Sequence, residues 1–165
     1  DTSGLVLLAK NPYSSCVLSD AVKDHTIHRE YAAIVSGKTD ASGTIDLPIA
    51  RKDGSTIERV LDPERGETAV THYRTFAYNK NADLSFIRLL LETGRTHQIR
   101  VHMASIGHPL LGDAVYGPAK CPYKLQGQTL HAGILGFVHP RTGEYMEFSA
   151  PLPEYFEELL RKLPG

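Results

Sequence analysis

Residues 91–117, LETGRTHQIRVHMASIGHPLLGDAVYG, set Arg95, His97, Arg100, His102 and His108 among Ile99, Val101, Met103 and Ile106 and close on Gly112 and Gly117. Ionisable groups this closely interleaved with core residues do not belong to an ordinary solvated face. An arginine near the middle of a short, largely apolar helix is expensive to bury unless a carboxylate or phosphate meets it. Two readings of Arg100 follow: a structural ion pair with an internal Asp or Glu, or a cation held ready for an anion brought to it. The start of such a helix adds unpaired N–H donors and partial positive charge, with Arg95 just ahead of it. Gly94 would let the backbone approach a ligand closely. Together these features describe an anion-seeking site.

Other chemistries fit less well. His97, His102 and His108 lack the HExxH spacing and have no nearby CxxC, so they read as hydrogen-bonded core or surface histidines and no metal is expected. TGRTH matches neither a P-loop nor a dinucleotide fingerprint, and no lysine follows as a P-loop requires. Tyr31 taken alone is one more aromatic on a strand face.

The elements that must position these residues are legible from periodicity. THQIRVHMASIG satisfies both strand alternation and helical spacing, and its ends decide the matter. Thr96 is an N-cap, Gly107 a left-handed terminator and Pro109 a block, which predicts a helix over 97–106. GLVLLAK reads as a buried strand. A helix follows, with Ser14 or Ser15 as its N-cap. HREYAAIVSG reads as a strand with Tyr31, Ala33 and Val35 on one side. Residues 38–66, interrupted by TIDLPIAR, form a turn-rich surface excursion. ETAVTHYRTFAY and LSFIRLLLE make a hairpin across NKNAD, and TLHAGILGF and YMEFSA make a second across HPRTGE. Pro153 opens a last helix whose Phe156, Leu159 and Leu160 face inward. This order predicts an α+β domain spanning 1–165, with a mixed, mainly antiparallel sheet and flanking helices.

The 165 residues suit one domain with a substantial core, and the formal charge of −1 means that any nucleic-acid contact needs a local basic patch. Cys16 and Cys121 fit no disulfide or metal framework, so reduced thiols and a cytoplasmic location are expected. No run has the length of a membrane span and no signal peptide is seen. The chain opens at Asp1 on an apolar run close to the terminus, which suggests a fragment whose N-terminal strands lie upstream.

These stretches resemble the RluA-type RNA pseudouridine synthases. GRTHQIRVHMASIGHPLLGDAVYG is similar to that family's long motif almost position for position, and REYAAIVSG to the shorter motif carrying the site tyrosine. GTIDLPIAR, TLHAGILGFVHPRTGEYMEFSAPLP and DTSGLVLLAK fall in the family's order, so the resemblance covers nearly the whole chain. It implies the pseudouridine synthase fold and isomerisation of uridines in ribosomal or transfer RNA, with no metal or organic cofactor. The bond from ribose C1′ to N1 breaks, the base turns, and C5 bonds to C1′. The target nucleotide must leave its stack for this.

The resemblance also distributes roles. The family's catalytic aspartate lies in HRLDxxTSG, of which only DTSG is present here. Asp1 therefore matches a variable position, and the catalytic carboxylate is expected two residues earlier. Arg100 matches the arginine that pairs with that aspartate, which would put its partner outside the chain. Tyr31 matches the tyrosine that packs on the target base. Arg95 and His97 are assigned to the site wall or a phosphate contact and Arg51 to RNA contact, with Lys120 and Lys124 as further members of a basic patch. RNA is the expected partner of a monomer in which an S4-like RNA-binding domain could precede. The competing reading is a non-catalytic RNA-binding module of the same fold.

Overall fold

The computed structural model describes residues 2–118, 121–125 and 127–161; Asp1, Lys120 and the last turn anticipated for the C-terminal helix lie outside them. Its elements, in chain order, are β1 (Ser3–Gly4), α1 (Pro12–Lys23), β2 (His28–Ser36), β3 (Ser42–Asp46), β4 (Ile49–Arg51), β5 (Arg59–Leu61), β6 (Val70–Asn79), β7 (Leu84–Leu91), α2 (Gln98–Ser105), β8 (Leu130–Val138), β9 (Tyr145–Ser149) and α3 (Glu154–Arg161).

The alternation of β2 builds the domain. Tyr31, Ala33 and Val35 face Ile87 and Leu89 of β7 and Ile99 and Met103 of α2. Ala32 and Ile34 face the other way, onto Phe156 and Leu159 of α3. One sheet is thus covered by α2 on one face and by α3 on the other. Phe156 is fully buried, and truncating such a side chain costs about 3–5 kcal/mol. The main sheet has seven strands, ordered β1-β8-β2-β7-β6-β3 with β9 also on β8. Among the described residues only β1 and β8 pair in parallel and the other pairings are antiparallel, giving the mixed α+β architecture expected from the sequence.

Four local expectations need correction. GLVLLAK is not a buried strand: after Gly4, only Leu5 N–H still reaches β8, at Ala132 O. From Ile134 onward β9 occupies that edge of β8, so the ladder has nowhere to continue. Leu5 and Leu7 pack on Leu18, Leu135 and Phe137, while Val6 and Leu8 stay 76% and 79% exposed. The cap of α1 is Asn11, whose Oδ1 accepts from Ser14 N–H at 2.8 Å with Pro12 opening the helix. The excursion after Lys38 is not merely superficial. It supplies edge strand β3 against β6 and a separate ribbon, β4–β5, whose Ile49 and Leu61 pack with Val101 and Tyr116. Finally, α2 is capped by His97 rather than Thr96. His97 is left-handed, with φ 58°, and its side chain makes no cap hydrogen bond.

The C-terminal end of α2 follows the expectation: Gly107 has φ +84° and nothing within 4 Å of its missing side chain, so backbone conformation alone selects glycine. Cys16 and Cys121 are free thiols. Among the described residues no helix is long and apolar enough to cross a membrane.

Candidate active site

Strand β2 delivers Tyr31, and the loop from β7 into α2 delivers the basic residues. They meet in a cleft of about 250 Å³ lined by Tyr31, Arg95, His97, Gln98, Arg100 and Thr2, among others. Arg51 is not in it. It ends β4 directly opposite Arg59 of β5 and lines an adjoining cleft of about 350 Å³ with Arg59, Arg65 and Arg95. Arg95 belongs to both clefts and joins them. Lys124 lines a neighbouring cleft with Ser3, Thr2 and Gln128, the last two of which also line the Tyr31–Arg100 cleft.

Gln98 sets the entry into α2. Its buried amide accepts from Arg95 N–H and Thr93 Oγ1–H and donates to Val70 O and Thr71 Oγ1, at 2.7–3.0 Å. The first turn is thereby fastened to β6, which compensates for the missing cap. His102, fully buried one turn later, uses both ring nitrogens, Nδ1 on Thr71 Oγ1 and Nε2 on Leu47 O, each at 2.9 Å. His108 Nδ1 meets Ser36 O at 2.8 Å. These are structural histidines.

Arg100 has an internal partner, contrary to the expectation that it lay outside the chain. Its Nε donates to Asp113 Oδ2 at 2.7 Å and its Nη2 to Asp113 Oδ1 at 2.8 Å. The side chains are 11% and 0% exposed, so this is a buried, two-point ion pair. Asp113 Oδ1 also accepts from Val115 and Tyr116 N–H. Burial pushes the Asp113 carboxyl upward, but hydrogen bonds from Arg100 and the two amides outweigh it and hold the group below the usual carboxylate range. The hydrogen bond to Asp113 pushes the Arg100 guanidinium up. Its Nη1 takes no part in the pair.

Tyr116 extends this arrangement. Its ring centroid is 5.0 Å from the Arg100 guanidinium carbon, its hydroxyl accepts from Arg59 N–H at 2.8 Å, and it meets His97 Nδ1 at 3.0 Å. Burial, then the nearby Arg100 and Arg59 cations, hold the His97 imidazole below its ordinary range against the pull of Asp113. At neutral pH His97 is therefore an uncharged wall of the cleft. Arg95 is tied by Nε to Thr68 O at 3.0 Å and by Nη1 to Glu67. Tyr31 is partly buried, and burial raises its phenol above the ordinary value despite Arg29 nearby, so the ring stays neutral.

Gly94 is exposed and lines the Arg51 cleft, and a side chain there would meet the tip of Arg29. Sequence reasoning missed Arg29, Gln98, Asp113 and Tyr116. GDAVYG carried a signal for two of them, since an aspartate followed by a tight turn commonly accepts the backbone N–H groups two and three residues on. Among the described residues no three His, Cys, Asp or Glu side chains converge as a metal site would require. The arrangement offers a neutral aromatic face, a rigidly held guanidinium and flanking cations, which suits a flat base attached to an anionic backbone.

Comparison with known proteins agrees with that chemistry. Residues 1–105 match the family model described as RNA pseudouridylate synthase. The chain is 48% identical over 166 residues to the uncharacterised RNA pseudouridine synthase YlyB of Bacillus subtilis, covering 99% of this chain and 53% of that protein. It is 44% identical over 174 residues to ribosomal large subunit pseudouridine synthase D of Zymomonas mobilis, with 99% and 53% covered. The chain thus spans about half the length of the relatives it matches. Human RNA pseudouridylate synthase domain containing 1 shares the fold at a TM-score of 0.71 and 23% identity, over 94% of this chain and 73% of that one.

Proposed function

Because the chain belongs to the RNA pseudouridylate synthase family, in its RluA-type branch, we propose that it forms the larger part of a catalytic domain that isomerises uridine to pseudouridine in structured RNA. The observation that carries this reading is the meeting of Tyr31 and Arg100 in one cleft, with Thr2 on the same rim. Thr2 belongs to the DTSG stretch, so an aspartate two residues before Asp1 would enter the chain close to that rim. In this reading Tyr31 stacks on the extruded base. Arg100, oriented by Asp113, presents its remaining Nη1 toward the incoming carboxylate. The carboxylate acts at C1′, where positive charge develops as the bond to N1 breaks, as in glycoside cleavage. Arg95, His97 and Arg51 line the path of the strand.

Relatives named for the large ribosomal subunit make ribosomal RNA the first substrate class to test, with transfer RNA second. A cytoplasmic, monomeric enzyme completes the proposal, and an S4-like domain could precede it. A second reading, a non-catalytic RNA-binding module, draws on the Arg100–Asp113 pair itself, which settles the buried charge without any further carboxylate. A pseudouridine map of ribosomal and transfer RNA from cells with and without the gene separates the two. The enzyme reading expects at least one site to vanish with the gene and return with it. A map without change supports the binding module.

A further inference from the structure

Arg29 is not among the residues lining the Tyr31–Arg100 cleft, and it differs from the cations that are. Arg95 is held by Glu67 and Thr68, and Arg100 by Asp113. The Arg29 guanidinium has no ion pair with any described residue, and its buried Nε has no hydrogen-bond partner among them. Burying such a donor unpartnered is costly, and a native structure that retains one calls for an explanation. Glycine at position 94 also leaves room for this placement of Arg29, since a Cβ there would press on its Nη1.

Arg29 and Tyr31 are two positions apart on β2, so they share a strand face roughly 7 Å apart along the chain. Both line a second cleft, of about 580 Å³, which shares Thr2 and Tyr31 with the first and is otherwise walled mainly by apolar residues such as Leu5, Leu18 and Leu135. An aromatic face with a cation one strand repeat away is how single-stranded nucleic acid is commonly held, base on ring and backbone on cation. A guanidinium also matches phosphate with a planar fork of donors. Arg100, fixed by Asp113, is the cation that the protein orients. Arg29, fixed by no hydrogen bond among the described residues, suits a ligand arriving from solution. We infer that Arg29 binds a backbone phosphate of the RNA strand whose base reaches Tyr31; this rests on the reading of the cleft as a uridine site.

The test uses the full-length protein with Arg29→Met, Arg29→Lys and Gly94→Ala, and RNA affinity measured between about 50 and 200 mM salt. Loss of one charged contact predicts about tenfold weaker binding in Arg29→Met. The slope of log affinity against log salt should shrink by about 0.7–0.9. Arg29→Lys keeps the slope. Gly94→Ala, which displaces the guanidinium, weakens binding similarly but adds nothing to Arg29→Met, as expected for two changes removing one contact. KM should rise more than kcat falls. If Arg29→Met does not fold, Arg29→Gln removes the charge and reads the same slope. An unchanged slope overturns the inference. A fall in kcat with the slope intact does so as well, and assigns Arg29 to a protein carboxylate. A wild-type protein that binds RNA with this Arg29-dependent slope, yet makes no pseudouridine, keeps the contact and sinks the enzyme reading. Absence of RNA binding sinks both.

Discussion

Arg100 and Asp113 are joined by two hydrogen bonds, Nε to Oδ2 at 2.7 Å and Nη2 to Oδ1 at 2.8 Å, in a pair that leaves Asp113 with no exposed side-chain surface. The buried cation therefore arrives at the cleft already oriented, by a carboxylate from its own chain 13 residues on. An incoming group has only to meet the remaining nitrogen.

Breaking that pair from either side should have different consequences. Asp113→Asn leaves Arg100 without its counter-charge and is expected to cost about 3–5 kcal/mol in urea unfolding. Arg100→Lys keeps a charge but loses the planar fork. In a chain extended upstream it should lower turnover by about tenfold or more while changing RNA affinity much less. Near-wild-type turnover in Arg100→Lys would remove Arg100 from the orienting role.

Stability should fall on mild acidification. Burial, against a weaker opposing hydrogen bond to Leu47, holds His102 below its ordinary value of 6.5. The unfolded chain thus takes the proton first. The stabilisation is present above pH 6.5 and is lost as pH falls from there through the folded-state value. Urea midpoints at pH 7.5 and 5.5 should differ for the wild type, and the gap should narrow in His102→Gln. Asp113, also held low, adds a second loss at more acidic pH, as its carboxylate takes a proton. An equal gap in both proteins would show that His102 is not the group titrating.

Tyr116→Phe keeps the ring beside Arg100 but deletes the hydroxyl shared by Arg59 N–H and His97. Losing both partners predicts a destabilisation of about 1–2 kcal/mol. A thermal melt within error of the wild type would show that the hydroxyl does not tie the β4–β5 ribbon to α2.

Gly107→Ala tests the end of α2 alone, because nothing lies within 4 Å of the added methyl. A left-handed alanine should cost about 1–2 kcal/mol with no change in RNA affinity. An unaffected denaturation midpoint would mean that the helix terminates by other means.

Much of this arrangement was legible in the residues and some was not. The α2 helix, its Gly107 terminator, both hairpins and the inward faces of β2 and α3 follow from periodicity and turn chemistry, which are local. Tyr31 and Arg100 could be named from the chain, and the structure brings them to one cleft. Periodicity carries no distance across a turn, so it does not pair Asp113 with Arg100, although an internal carboxylate is one of the two readings the residues allow. GLVLLAK misled because a strand needs an edge, and β9 had taken that edge further along β8. Arg29 escaped notice because an arginine at a strand start is ordinary until its missing partners and the glycine beneath it are seen.

In the proposed function this cleft isomerises uridine through an aspartate two residues before Asp1. The measurement is pseudouridine formed in bulk RNA from a strain lacking the gene, using the chain extended upstream, its Asp→Asn variant at that position, and residues 1–165 verified by intact mass. Pseudouridine is expected with the extended chain alone. Product from the Asp→Asn variant or from residues 1–165, or none from the extended chain, would contradict it.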